Sequence, residues 1–143
     1  MNRYVVDASV GIKWFLPEIH SEAASRLQAL NASLHVPAFF NLEIGSVLSK
    51  RIRRKEVSSE EGEAILKELR NIPLQKHSNE RLFKPAFALA LQTQQSLYDC
   101  LYLALAETIE GQMVTADKRF WSSLGSKEYS KRILWVEDLP KPA

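Results

Sequence analysis

The segment YDCLYLALAETIEGQMVTADKRF, Tyr98–Phe120, decides how the chain folds, because it sets two acids among residues that otherwise read as core. From Leu97 to Ile109 the residues are apolar almost all round (Leu97, Leu101, Tyr102, Leu103, Ala104, Leu105, Ala106, Ile109), the mark of a helix packed on more than one side. Asp99 falls in its first turn. Gly111 is expected to stop the helix, and Met113-Val114 reads as a short buried strand. Thr115-Ala116-Asp117 then puts a second acid just past that strand's end. A carboxylate in such a place is costly unless it is paired, hydrogen-bonded or bound to a metal.

Upstream of this segment, Asn79 to Leu91 is helical despite Pro85, and Ile72-Pro73-Leu74 is a weak strand. Val57-Ser58 to Leu69 forms a helix with Ser58 and Glu61 at capping-box spacing and Ile65, Leu66 and Leu69 turned inward. Before it, Pro37 opens a helix with Phe39, Phe40, Ile44, Val47 and Leu48 on one face. At 100° per residue Glu43 falls inside that arc, a third misplaced acid. Leu34-His35-Val36 is a strand candidate, preceded by a helix from about Ile19 to Leu30. At the start of the chain, Arg3 to Asp7 reads as a buried strand ending on a fourth acid. Ala8-Ser9 then leads into a helix that ends at Pro17. Downstream, Phe120, Trp121 and Leu124 mark a short helix and Ile133–Val136 a last strand, while Pro140 to Ala143 is expected to be loose.

Short apolar strands alternating with helices argue for a parallel sheet covered on both faces. Ligands collect beyond the carboxyl ends of such strands, and Asp7 and Asp117 occupy that position by sequence alone. Glu43 and Asp99 lie near helix starts that right-handed crossovers bring to the same edge. Four converging carboxylates repel one another unless a cation neutralises them. Oxygen-only ligands point to Mg²⁺ or Mn²⁺ rather than zinc, and the catalytic uses of such ions match phosphoryl transfer with a metal-activated water. Ser9 and Thr115 are placed to hydrogen-bond a carboxylate or a bound water. His20, His35 and His77 lie outside any motif, and no phosphate-cradling glycine loop is present among five glycines.

The pattern resembles the PIN-domain ribonucleases, and within them the VapC toxins of type II toxin–antitoxin pairs. The matching text is Val5–Val10 with Lys13–Glu18, Pro37 through Glu43, Tyr98–Ala106, and Val114–Phe120, which together span nearly the whole chain. The resemblance implies an α/β/α sandwich, three layers around a central, mainly parallel sheet, and a Mg²⁺- or Mn²⁺-dependent endoribonuclease acting on structured RNA. It also implies a homodimer inhibited by a small antitoxin protein. Its acids carry over to Asp7, Glu43, Asp99 and Asp117, as catalytic and metal-holding residues, and its hydroxyl positions to Ser9 and Thr115. Cys100 departs from the pattern, standing where the family usually has a small residue such as alanine.

The totals agree with this reading. A chain of 143 residues fits a single PIN-like domain over 1–143. No apolar run approaches the roughly 18 residues of a membrane span, and the apolar stretch before Asp7 is too short for a signal peptide, so a cytoplasmic location is expected. The formal net charge is only +2, so RNA contact depends on how charges are placed. Lys118 and Arg119, beside the acids, are the better candidates for contact with the scissile strand; Arg53, in the basic run Lys50–Lys55, is a further one weakened by Glu56, Glu60 and Glu61. Exposed apolar residues on the early helices are candidates for a dimer surface.

Each acid also has a structural reading: Asp7 and Asp117 as helix caps, Asp99 at the positive end of its helix, Glu43 snorkelling from its stripe. Two other functions stay open. A Mg²⁺-dependent phosphatase-like enzyme gathers acids at strand ends too, although its second Asp, two residues after the first, is here Ser9. A catalytically silent PIN-like module would bind only RNA or a partner protein.

Overall fold

The computed structural model describes residues 1–142, and its five strands form one parallel sheet in the order β3-β2-β1-β4-β5. The strands are β1 (Asn2–Val6), β2 (Ala32–Pro37), β3 (Leu74–His77), β4 (Gln112–Thr115) and β5 (Ile133–Trp135). Central β1 pairs with β2 through Val5↔His35 and with β4 through Val6↔Val114. Covered on both faces, it buries Tyr4, Val5 and Val6 in succession instead of alternating.

The helices are α1 (Ala8–Gly11), α2 (Ser21–Ala29), α3 (Phe40–Arg53), α4 (Ser59–Leu69), α5 (Asn79–Thr93), α6 (Leu97–Thr108) and α7 (Lys118–Phe120). Connections from β1 to β3 step one way along the sheet, and those from β3 through β4 to β5 step the other. Right-handed crossovers therefore put α1 to α4 on one face and α5 to α7 on the opposite one, giving an α/β/α sandwich. The connections leave β1 and β4 toward opposite edges of the sheet, so the crevice beyond the carboxyl ends of these two parallel strands is the topological switch point. Asp7 and Thr115 stand there.

Several expectations shift by a few residues, for local reasons. Pro37 ends β2 rather than opening α3, because the Ala38 N–H extends the ladder to His77 O at 2.8 Å and the Phe39 N–H is taken by Asn79 Oδ1 at 3.0 Å. The strand expected at Ile72–Leu74 runs instead from Leu74 to His77; as an edge strand it carries polar Gln75 and Lys76, which apolar patterning does not register. Helicity is short after Asp7, where α1 gives way to a 3₁₀ turn at Ile12–Trp14, and again after Phe120, where α7 passes into a π turn at Trp121–Gly125. Leu66 is 40% exposed, not inward.

Gly111 does not supply the left-handed residue that stops α6; Glu110 does, at φ 53°. Gly111 is needed for a different reason. A Cβ there would stand 2.4 Å from Arg3 O, so only glycine lets the chain pass β1 closely enough for β4 to pair with it. The capping box at Ser58 and Glu61 is formed. Exposed apolar residues gather less on the early helices than on α5, where Phe83, Phe87 and Leu91 are 53%, 50% and 69% exposed. Pro140 to Pro142 are exposed and without regular structure, and Ala143 lies outside the described residues. No helix among the described residues is long and apolar enough to cross a membrane.

Candidate active site

Asp7 follows β1, and its N–H donates to Val114 O at 3.2 Å, so the pairing of β1 with β4 fixes where it stands. It precedes α1, but its side chain does not cap that helix. The carboxylate turns to two hydroxyls instead. Ser9 Oγ donates to Oδ2 at 2.6 Å and Thr115 Oγ1 donates to the same oxygen at 2.9 Å. Backbone N–H groups orient both hydroxyls, Ala116 toward Ser9 Oγ and Asp117 toward Thr115 Oγ1, each at 3.0 Å. Oδ1 takes no hydrogen bond from the described residues and remains a free acceptor.

Glu43 sits in the first turn of α3, half-buried, with Tyr102 Oη donating to its Oε1 at 2.5 Å. Asp99 is half-buried in the first turn of α6, whose cap is Ser96: the Asp99 N–H donates to Ser96 Oγ at 3.1 Å. Asp117 is exposed and takes the Phe120 N–H at 3.1 Å, so here the capping role is real.

Burial pushes the Asp7 carboxyl up to about 7; the two hydroxyls pull the other way, and the charges of Asp99 and Glu43 add to the rise. Glu43 is raised by burial and by Asp99, against the Tyr102 hydrogen bond. Asp99 is raised by burial and by Asp117, against Ser96. No lysine or arginine offsets any of the three. Burial, with the charges of Asp7, Glu43 and Asp99 around it, pushes the Tyr102 phenol far upward as well.

The acids thus share one electrostatic field across the carboxyl edge, but they do not form a closed shell: among the described residues no three His, Cys, Asp or Glu side chains are grouped so as to enclose an ion. The donor chemistry nevertheless fits a hard divalent cation. Every candidate ligand is an oxygen, and each raised carboxylate would be relieved by positive charge.

Lys118 and Arg119 are exposed immediately after Asp117. Arg53 is elsewhere: it ends α3, ten residues beyond Glu43, about 15 Å along the helix axis, and donates to Ser49 Oγ at 3.3 Å. His35 and His77 pair with each other at 2.9 Å between β2 and β3, a structural use of both. Tyr102 joins the site although along the sequence it reads as one of the apolar positions of α6. The available signal was its place three residues after Asp99, on the same helix face.

Residues 4–122 match the family model described as PIN domain. Ribonuclease VapC3 of Pyrobaculum aerophilum is 36% identical over 119 residues, covering 82% of this chain and 91% of that protein. A crystal structure of the Pyrobaculum aerophilum protein PAE2754 superposes with a TM-score of 0.71 at 21% identity, over 96% of this chain and 86% of the other. A toxin–antitoxin complex from Klebsiella pneumoniae contains a chain with a TM-score of 0.63 at 12% identity, over 93% and 97% of the two chains.

Proposed function

The chain belongs to the PIN-domain family, and on that premise we propose that it is a divalent-metal-dependent endoribonuclease, the toxin of a toxin–antitoxin pair, working in the cytoplasm as one domain over its whole length. The observation that carries this reading is the set of buried and half-buried carboxylates Asp7, Glu43 and Asp99 at the switch point, each raised and none faced by a cation. Likeness to a protein named as a ribonuclease and to a toxin–antitoxin complex supports the substrate and the partner.

Asp7, Glu43, Asp99 and Asp117 would hold Mg²⁺ or Mn²⁺, directly or through water. Such an ion, when bound, polarises a phosphate and lowers the pKa of water. Ser9 and Thr115 hold Asp7 through Oδ2 and leave Oδ1 without a donor among the described residues. Lys118 and Arg119 would meet the phosphates next to the cut. Arg53 would touch RNA only where the strand extends about 15 Å from it; Arg53→Glu should then flatten the salt dependence of binding, and an unchanged slope would remove it from the interface.

A second copy of the chain is the proposed occupant of the α5 face. Phe83, Phe87 and Leu91 recur every four residues, a single exposed apolar row that an isologous contact buries against itself. Sedimentation should give twice 16.3 kDa, and Phe87→Glu should give a monomer.

The test of the activity is cleavage of a small-RNA pool by the purified chain with Mg²⁺, Mn²⁺ or excess EDTA, beside Asp7→Ala. Discrete fragments that need metal and vanish in the variant are expected. Absence of cutting in every condition, with metal still bound, would overturn the nuclease.

A further inference from the structure

Asp7 stands at the end of the central strand and Glu43 on the helix layer beside it, yet the protein treats them alike. One oxygen of each is engaged by a hydroxyl donor: Asp7 Oδ2 by Ser9 and Thr115, Glu43 Oε1 by Tyr102. The second oxygen of each is left without such a donor among the described residues. Ser9 and Thr115 lie two residues and one strand away from Asp7, so their bonds arise within the switch point. The Tyr102 bond is different. It joins residues 59 apart in sequence and ties α6 on one face to α3 on the other, past the carboxyl ends of the strands.

Tyr102 is fully buried, and α6 packs on β1 and β2, so its ring has no freedom to follow Glu43. The flexible partner is the glutamate, which has one more rotatable side-chain bond than an aspartate and lies in a field of like charge that favours its swinging outward. A phenol keeps its proton through the neutral range, so it acts here only as a donor. Asp99 lies one helical turn before Tyr102 on the same face, so α6 delivers a carboxylate and, one turn deeper, the group that holds its neighbour.

We propose that Tyr102 is a positioning residue of the active site: its hydroxyl fixes Glu43 Oε1 and thereby presents Oε2 to a divalent cation. The proposal deepens the nuclease reading and rests on it. A purely structural tyrosine would use the same buried ring to fill the core, and its hydroxyl would take whatever acceptor lay nearby. The two roles differ in what removal of the oxygen does to metal affinity.

The experiment is Mn²⁺ titration followed by electron paramagnetic resonance, with cleavage and melting temperature measured on the same samples, for the wild type, Tyr102→Phe, Glu43→Gln and the double variant. Tyr102→Phe should keep the fold and weaken Mn²⁺ binding about tenfold, as loss of a group that orients a ligand does. In the Glu43→Gln background the same change should alter Mn²⁺ binding less than about twofold, because the group through which Tyr102 acts is gone. If Tyr102→Phe does not fold, Tyr102→Met fills the space without a donor and carries the same comparison. Wild-type Mn²⁺ affinity in a folded Tyr102→Phe overturns the positioning role while leaving the nuclease standing. An equal loss in both backgrounds overturns it also, since Tyr102 would then act without Glu43. A wild type that neither binds Mn²⁺ nor cuts RNA overturns the nuclease and this role with it.

Discussion

Glu18 and Asp7 are both carboxylates withdrawn from solvent, eleven residues apart on the same stretch of chain, and the fold handles them in opposite ways. Glu18 is met by Lys13 Nζ at 2.9 Å and Arg51 Nη2 at 2.8 Å. Burial works to raise it, but the hydrogen bonds from Arg51 and Lys13, with their charges, hold it below the usual glutamate range. Asp7 is met only by hydroxyls, feels Asp99 and Glu43, and is raised. Where an acid serves the architecture, here tying the segment after α1 to α3, cations accompany it. At the switch point the fold supplies neutral donors and further acids, and stability is given up in favour of a binding field.

Asp7→Asn should have the largest effect. Cleavage should fall by about a thousandfold or more, since a charge that acts on the developing transition state is removed. Stability of the metal-free protein should move the other way. Between its ordinary value near 3.8 and its folded value of about 7, Asp7 holds a proton in the folded state that the unfolded chain has released. Stability therefore falls as pH rises through that window. Asp7→Asn should flatten this slope and add up to a few kcal/mol at pH 8, from roughly 1.4 kcal/mol per unit of pKa difference. Urea unfolding in EDTA at pH 5 and pH 8 reads both effects, and a variant less stable at pH 8 would make Asp7 a structural acid like Glu18.

Glu18→Gln is the converse. It leaves Lys13 and Arg51 facing each other without their shared anion, so stability near neutrality should drop by about 1–2 kcal/mol, with cleavage close to wild type. Because the folded state lowers the Glu18 pKa, its contribution is present above its ordinary value of 4.5 and is lost as pH falls through the folded one. Wild type and variant should converge in strong acid. A variant that keeps its stability but loses cleavage would mean that Glu18 belongs with the site.

Two hydroxyls share the work of holding Asp7 Oδ2, so removing one should cost little. Ser9→Ala removes one of the two donors to Oδ2 and frees the Ala116 N–H. Cleavage should slow about fivefold, the equivalent of roughly 1 kcal/mol for one hydrogen bond, because Thr115 still holds the same oxygen. A loss as large as that of Asp7→Asn would make Ser9 a direct participant.

Much of this was legible along the chain. The burial of Val5 and Val6 before Asp7, the apolar run of α6, and the acid two residues past β4 each follow from which residues can be hidden in a two-faced sheet. Edge positions were harder. β3 reads as polar because only one side of it is paired, and α3 starts three residues later than Pro37 suggests because distant Asn79 and His77 take the intervening N–H groups. Tyr102 was invisible as a site residue because a buried tyrosine and a buried leucine look alike until the partner of the hydroxyl is known.

The order of strands and helices and the presence of acids at strand ends and helix starts follow from the residues along the chain, since hydrophobic periodicity and the cost of a buried charge are local properties. Which groups face those acids depends on how distant elements pack. That Asp7 turns from its helix to Thr115 as well as Ser9, that Glu43 is tied to Tyr102, and that Glu18 receives Arg51 rest on contacts between elements. Their partners are set by how the two layers close over the sheet.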